Sequence, residues 1–175
     1  MISFEIKARC PNPDRIRELL KSRNASSQGE DRQVDTYFKV QRGRLKLRKR
    51  NIENSLIFYE RQDIEGPRKS EIILIKDPSP SLKDILSKAL GILVVVDKER
   101  EIYFVDNVKF NLDTVQGVGT FAEIEAFNEN ASKEESRLFE QCRFYLDLFG
   151  IPREDLVSDS YSDLLLKQRG MRKEN

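Results

Sequence analysis

Apolar and charged residues alternate with a period of two in segment after segment of this chain, and this alternation restricts the fold more than any other feature. The first segment, residues 2–9, places Phe4 and Ile6 between Glu5, Lys7 and Arg9. Neighbouring side chains of a β-strand point to opposite faces, so such a segment has one apolar and one charged face. The chain is therefore expected to build antiparallel sheet that buries a single face.

Nine segments have the patterning of strands, separated by turn residues such as Gly43, Gly66-Pro67 and Asp106-Asn107. They cover residues 2–9, 34–40, 44–49, 56–62, 70–75, 92–96, 99–105, 108–115 and 121–127. The polar stretch 23–33 has no such alternation and is interpreted as a loop.

Four helices are predicted from apolar residues at helical spacing and from residues typical of helix ends. They cover about residues 14–22, 80–90, 132–149 and a last segment that begins at Ser160. Ser132, three residues before Glu135, is the predicted cap of the third helix. Eight or nine mostly antiparallel strands with helices outside them predict an α+β fold compatible with a barrel, in one domain over residues 1–175.

The composition excludes several kinds of chemistry. The chain has no histidine, which removes catalytic systems and zinc sites that need imidazole. Cys10 and Cys142 have no paired spacing and are expected to stay reduced. The net charge of +1 favours neither nucleic acid nor membrane as a partner, and no segment resembles a signal peptide or a membrane span. A cytoplasmic protein is expected.

The charged faces are sorted by sign, which is the main functional signal in the sequence. One strand carries four basic residues on one face, and another carries a pair of carboxylates. The rows are Glu5, Lys7 and Arg9; Arg44, Lys46, Arg48 and Arg50; Lys98 and Arg100; Lys109, Asn111 and Asp113; and Glu123 and Glu125. These faces could simply point to bulk water, as on many half-buried sheets. If the sheet closes with them inside, they would require a bound anion together with a cation, such as a polyphosphate with a divalent metal.

Six segments in sequence order resemble the CYTH superfamily, whose members are also called triphosphate tunnel metalloenzymes. The segments are Glu5-Ile6-Lys7-Ala8-Arg9, Asp35-Thr36-Tyr37-Phe38, Gly43-Arg44-Leu45-Lys46-Leu47-Arg48, Lys98-Glu99-Arg100, Leu112-Asp113-Thr114-Val115 and Gly119-Thr120-Phe121-Ala122-Glu123-Ile124-Glu125. The resemblance implies a closed eight-stranded antiparallel β-barrel with surrounding helices, whose tunnel grips a triphosphate with basic residues and holds Mg²⁺ or Mn²⁺ with carboxylates.

The resemblance also implies roles for individual residues. The metal ligands would be Glu5, Glu123 and Glu125, and Asp113 would bind metal through water or orient the basic groups. Triphosphate would be bound by Lys7, Arg9, Arg44, Lys46, Arg48, Arg61, Lys98 and Arg100. Lys7, Tyr37 and Arg61 would be the catalytic residues.

Two positions depart from the family pattern. Ser3 stands where the Glu-x-Glu-x-Lys signature has its first glutamate, which removes one potential metal ligand. Arg61 stands where hydrolases similar to thiamine triphosphatase have a lysine, and arginine cannot act as a base.

The function implied first is that of a class IV adenylate cyclase, a metal-dependent enzyme that converts ATP to cyclic AMP and pyrophosphate. The alternatives are a triphosphatase acting on inorganic triphosphate (tripolyphosphate), thiamine triphosphate or a nucleoside triphosphate, and a non-catalytic module that only binds triphosphate. The protein would be a monomer or a homodimer, with a small-molecule triphosphate as its partner.

Overall fold

The chain folds into a ring of strands with helices packed outside it. The computed structural model describes residues 2–51, 54–61, 63–128 and 135–170. Within these residues the elements are β1 (Ile2–Arg9), α1 (Pro13–Ser22), β2 (Ser26–Phe38), β3 (Arg44–Lys49), β4 (Ser55–Arg61), β5 (Arg68–Lys76), α2 (Leu82–Leu90), β6 (Ile92–Val105), β7 (Val108–Val115), β8 (Gly119–Asn128), α3 (Glu135–Phe149) and α4 (Tyr161–Gln168), with a 3₁₀ turn at Arg153–Asp155.

The eight strands form a closed barrel in the order β1-β5-β4-β3-β2-β6-β7-β8. All neighbouring pairs are antiparallel, and β1 closes the ring by pairing with both β5 and β8. The predicted closed eight-stranded antiparallel barrel of the α+β class is therefore confirmed. Closure gives the chain an interior face as well as an exterior face, which a half-buried open sheet lacks.

Two strand predictions are wrong for the same reason. Residues 23–33 are not all loop, because β2 begins at Ser26, and residues 92–96 and 99–105 are one continuous strand, β6. These two long strands pair from Ser26 opposite Phe104 to Phe38 opposite Ile92. The early part of β2 is polar on both faces, so its backbone is held by pairing with β6 rather than by burial of an apolar face.

The helix predictions agree with the structure where the described residues allow a comparison. The Ser160 side chain accepts a hydrogen bond from the Asp163 backbone N–H, and the Asp163 side chain accepts one from Ser160 in return, so the predicted start of α4 is a capping box. Helix α2 ends before Gly91, whose φ of +79° favours glycine. Ser132, residues 52 and 53 of a predicted turn, and residue 62 lie outside the described residues.

The main apolar core lies outside the barrel wall. Ile6 of β1, Phe110 of β7 and Ile124 of β8 pack against Leu20 of α1 and Leu138 of α3, and each of these side chains is at most 1% exposed. Because burial of these residues fixes the outer face, the alternate residues of the same strands must point into the barrel. None of the described helices has the length and apolar character to span a membrane.

Candidate active site

The barrel interior contains a charged cavity of about 200 Å³ to which all eight strands contribute. Its lining includes charged groups from strands that are far apart in sequence. The charged and tyrosine side chains in the lining are Glu5, Lys7, Tyr37, Lys46, Arg48, Tyr59, Arg61, Lys98, Arg100, Lys109, Glu123, Glu125 and Tyr161. Closure of the sheet therefore brings together the rows of opposite sign that the sequence separates.

Three basic side chains share one buried carboxylate, Asp35 of β2. Arg48 lies directly opposite Asp35 on β3 and donates two hydrogen bonds of 2.7 Å to its two carboxylate oxygens. Lys46 and Lys98 place their Nζ atoms 3.0 and 3.1 Å from Asp35 Oδ2. Although burial by itself would raise the pKa of Asp35, the attraction of these cations, Arg48 foremost, holds it well below its ordinary value.

The cations around Asp35 remain incompletely neutralised by a single carboxylate. Burial is the largest effect on Lys98, and with repulsion from Arg48 and Arg100 it lowers the pKa of Lys98 well below its ordinary value. Such a group gains from any further negative charge that enters the cavity. This part of the lining is thus suited to an anion with several oxygens.

Two glutamates on the opposite part of the wall are held by basic side chains. Glu5 accepts hydrogen bonds from Arg61 and from Arg68, whose Nε lies 2.9 Å away. Glu123 accepts a hydrogen bond of 2.6 Å from Arg100, and its other oxygen lies 3.3 Å from Lys7 Nζ. Burial lowers the pKa of Lys7 to about 8, despite the attraction of Glu123.

Glu125 differs from the other lining carboxylates. It lies directly opposite Glu5 on β1 and opposite Lys109 on β7, and within the described chain it has no ion pair shorter than 4 Å. Burial raises the pKa of Glu125 above its ordinary value despite the attraction of Lys109, and repulsion from Glu5 and Glu123 raises it further. Two carboxylates in directly opposed positions repel each other unless a cation lies between them.

The start of α4 closes one end of the cavity. The Tyr161 ring lies 4.0 Å from Lys7 Nζ, and its hydroxyl donates a hydrogen bond of 2.6 Å to Asp113. Backbone contacts add to this closure, because Val157 donates a hydrogen bond to the Lys7 carbonyl. Arg44 forms ion pairs of 2.9 Å with Asp63 and with Asp163 of α4.

Most of the residues predicted for the site meet in this cavity, but three do not line it. Arg9 lies at the end of β1, where its guanidinium is 5.4 Å from the centre of the Phe121 ring. Arg44 lines a second pocket together with Arg42, Glu60 and Asp63. Asp113 lies behind Arg100, and both of its oxygens accept hydrogen bonds of 2.6 Å from that side chain. Its oxygens face Arg100 and Tyr161, which is the placement expected of a residue that orients a basic group, and its binding of metal through water stays a prediction.

The predicted site residues did not include Asp35, Arg68 and Lys109. The sequence could have identified Asp35 as a site residue, because it stands two residues before Tyr37 and therefore shares the same face of the strand. Lys109 belongs to the row with Asn111 and Asp113, and the sequence does not show whether this row faces the barrel interior or bulk water. Arg68 precedes the segment predicted as a strand, which began at residue 70, whereas β5 begins at Arg68 itself.

The glutamates of the cavity provide oxygen atoms, which are the ligands that a hard divalent cation prefers. Glu5 and Glu125 provide oxygen donors on neighbouring strands, and their mutual repulsion would be relieved by a cation. In the described parts of the chain no three acidic or thiol side chains converge closely enough to form a complete metal site. A cation such as Mg²⁺ needs only one or two carboxylates when water and phosphate oxygens complete its shell, so the residues fit such an ion.

The barrel is closed and antiparallel, and cations and carboxylates face one another inside it. These features place the protein in the class of barrel proteins with a charged tunnel. The family comparison agrees with this class, because residues 1–161 match the CYTH domain. The chain belongs to the CYTH family.

Similar proteins come from several sources. The chain is 26% identical over 174 residues to "Putative adenylate cyclase MJ0240" of Methanocaldococcus jannaschii, covering 94% of this chain and 98% of that protein. The structure of PH1012 from Pyrococcus horikoshii OT3 superposes with a TM-score of 0.79 at 25% identity, over 93% of this chain and 98% of that one. HpAC1 from Hippeastrum, described with a dominant triphosphatase activity, superposes with a TM-score of 0.58 at 19% identity, over 98% of both chains.

Proposed function

We propose that this protein is a divalent-metal-dependent enzyme that binds a triphosphate in the barrel and cleaves it, with the conversion of ATP to cyclic AMP and pyrophosphate as the first candidate reaction. The observation that carries the proposal is the charge of the cavity. Of the described residues in its lining, seven are basic and three are carboxylates, and the buried Asp35 and Asp113 hold four of the seven cations, which leaves a formal excess of two positive charges. A nucleoside triphosphate that carries a divalent cation brings a similar net negative charge and enough oxygens to engage these groups.

The basic residues would bind and orient the phosphates. Lys46, Arg48 and Lys98 form one group through their shared contact with Asp35, and Arg100 is held in a fixed direction by Asp113. Because these cations are positioned before substrate binds, they can stabilise charge that develops on phosphate oxygens without rearranging. Arg61, hydrogen-bonded to Glu5, supplies charge but cannot accept a proton.

A bound Mg²⁺ or Mn²⁺ would be held by Glu5 and Glu125 and would neutralise phosphate charge. In cyclisation, the ribose 3′-oxygen bonds to the α-phosphorus, the bond from that phosphorus to the bridging oxygen breaks, and pyrophosphate leaves. Lys7 Nζ lies in the cavity and is the side chain we assign to take the hydroxyl proton in its neutral form. Burial raises the pKa of Tyr37 to about 12, so its hydroxyl stays protonated and can donate to a phosphate oxygen.

Hydrolysis is the second candidate reaction. The same cations and carboxylates would serve attack by water on the terminal phosphorus, with orthophosphate as the product. The shared fold with HpAC1, which is described with triphosphatase activity, favours testing this reaction alongside cyclisation.

The proposal predicts turnover of a triphosphate that depends on a divalent cation. Purified protein should be incubated with Mg²⁺ or Mn²⁺ and with ATP, tripolyphosphate or thiamine triphosphate, and the products separated by chromatography. Cyclic AMP with pyrophosphate would identify a cyclase, and orthophosphate a triphosphatase. Binding of a triphosphate without any product would reject the enzyme and leave a binding module.

A matched pair of variants tests the assignment of the cavity. Arg48→Gln should weaken triphosphate binding at least about tenfold, because a charge-assisted, partly buried contact is lost. Arg32→Gln removes an outward-facing arginine of β2 that is paired with Asp97, and should leave binding unchanged. Equal affinities of the two variants for tripolyphosphate in calorimetry would reject the barrel interior as the binding site.

A further inference from the structure

Tyr161, the first residue of α4, is held in place from two sides. The capping box between Ser160 and Asp163 fixes the start of the helix directly before it. Its ring packs against Phe121 of β8, with the two ring centres 4.9 Å apart, and the residue is only 4% exposed. In such close packing a side chain keeps one rotamer, so the ring and the hydroxyl of Tyr161 each have a fixed direction.

The hydroxyl of Tyr161 acts on Arg100 through Asp113. It donates a hydrogen bond of 2.6 Å to Asp113 Oδ2, the same oxygen that accepts one of 2.6 Å from Arg100 Nη2. The other oxygen of Asp113 accepts a hydrogen bond from Arg100 Nε. The carboxylate is therefore held from both sides and cannot turn without breaking one of these hydrogen bonds. By this route the hydroxyl fixes the plane of a guanidinium that lines the cavity.

The ring of Tyr161 acts on Lys7. Its centre lies 4.0 Å from Lys7 Nζ, within the range in which an aromatic face attracts a cation. The other contacts of this Nζ are Glu123 at 3.3 Å and the Asp159 carbonyl at 3.4 Å. Because a lysine side chain is long and flexible, these contacts determine where its Nζ lies. The Nζ of Lys98 is farther from the ring centre, at 5.6 Å, so the ring acts mainly on Lys7.

We infer that Tyr161 is a positioning residue that holds two basic side chains of the cavity in separate ways. Its hydroxyl fixes Arg100 for binding phosphate, and its ring fixes the direction of Lys7 Nζ for the chemical step. This inference rests on the proposed function, since it requires that phosphate enters the cavity. Neither effect needs contact between Tyr161 and the triphosphate.

The chain contains a matched control for the hydroxyl on the outer side of the barrel. Tyr103 donates a hydrogen bond of 2.9 Å to Glu101, and Glu101 accepts two hydrogen bonds of 2.7 Å from Arg17. This is the same order of tyrosine, carboxylate and arginine, and Tyr103 is also buried, with 8% exposed. Arg17 lies on α1, outside the cavity. Replacement of either tyrosine by phenylalanine therefore removes an equivalent hydrogen bond, but only one of the two bonds supports the cavity.

The test measures tripolyphosphate affinity by calorimetry and the turnover number with ATP or tripolyphosphate, whichever the unmodified protein consumes. Tyr161→Phe should weaken tripolyphosphate about fivefold, whereas Tyr103→Phe should leave the dissociation constant unchanged. Tyr161→Leu removes the ring as well as the hydroxyl. Its turnover number should be at least about tenfold below that of Tyr161→Phe, because Lys7 Nζ then loses its fixed direction. Melting temperatures show whether the two phenylalanine variants lose stability to a similar extent, as expected.

The possible results separate this inference from the proposed function. Absence of binding or of turnover in the unmodified protein would reject the proposed function, and the inference with it. If the unmodified protein binds and turns over a triphosphate, equal dissociation constants for Tyr161→Phe and Tyr103→Phe would reject the role of the hydroxyl. Equal turnover numbers for Tyr161→Phe and Tyr161→Leu would reject the role of the ring. The phenylalanine variants keep both rings, so the test of the hydroxyl stands even where Tyr161→Leu fails to fold.

Discussion

Replacement of Asp35 by asparagine is expected to lower the free energy of unfolding by about 3–5 kcal/mol, because it removes the shared partner of three basic side chains. Asp35 is fully buried, and Lys46, Arg48 and Lys98 lie within 3.1 Å of its oxygens. An asparagine side chain has nearly the same shape but no charge, so the cations would be left to repel one another. Chemical denaturation at neutral pH measures the effect.

Asp97→Asn is the matched control for this prediction. Asp97 pairs with Arg32 on the outer face, where the arginine is 65% exposed, and such a pair contributes no more than about 1 kcal/mol. Tripolyphosphate should raise the melting temperature of Asp35→Asn more than that of the unmodified protein, because the anion replaces the missing negative charge. Equal losses of stability in the two variants would contradict the central position of Asp35.

The stabilisation by Asp35 should also depend on pH in a defined direction. The pKa of Asp35 in the folded protein is held well below its ordinary value of 3.8, so folding favours the ionised form. The unfolded chain therefore binds more protons in acid, and stability falls as pH decreases. The difference in unfolding free energy between the unmodified protein and Asp35→Asn should be complete above about pH 4 and should shrink as the pH falls towards the pKa of the folded state.

If Glu125 holds metal as proposed, its replacement by glutamine is expected to reduce turnover at least about 100-fold without loss of stability, because the metal would supply several kcal/mol of charge stabilisation. Glu125 faces Glu5 and has no ion pair shorter than 4 Å within the described chain. Removal of its charge therefore relieves repulsion, and the melting temperature should stay the same or rise. Loss of activity with a retained fold is the expected combination.

Glu71→Gln is the matched control, since Glu71 lies on β5 and is exposed on the outer side. Calorimetry with Mn²⁺ in the presence of tripolyphosphate gives a readout that does not depend on turnover. Weaker Mn²⁺ binding in Glu125→Gln, with Glu71→Gln unchanged, is expected. Full activity and unchanged Mn²⁺ binding in Glu125→Gln would reject Glu125 as a metal ligand.

Local patterns predicted most of the elements because their causes are local. The alternation in residues 2–9 and 108–115 indicates strands β1 and β7 directly, and the Ser160–Asp163 capping box indicates the start of α4. The early part of β2 could not be recognised in this way. Its polar residues are held by hydrogen bonds to β6, a partner about seventy residues away, and no pattern within residues 26–33 reflects that pairing.

The residues of the candidate site also differ in whether the sequence alone could reveal them. The rows that contain Lys46, Arg48 and Glu123 could be recognised from spacing, and the family motifs add their expected roles. Asp35 and Lys109 were missed as site residues because their importance comes from neighbours on other strands: Arg48 and Lys98 for Asp35, and Glu125 for Lys109. Register between strands creates these contacts, and register is a property of the folded sheet.

The sequence by itself determined which residues share a face, where most strands and helices lie, and which family the chain resembles. Only the tertiary structure decided that the charged faces point inward, that three cations share Asp35, and that α4 closes one end. The physical reason is that alternation is set by the geometry of each strand, whereas the direction of a face depends on what packs against its other side. Here α1 and α3 bury the outer apolar face of β1, β7 and β8, and this burial turns the charged face of those strands towards the barrel interior.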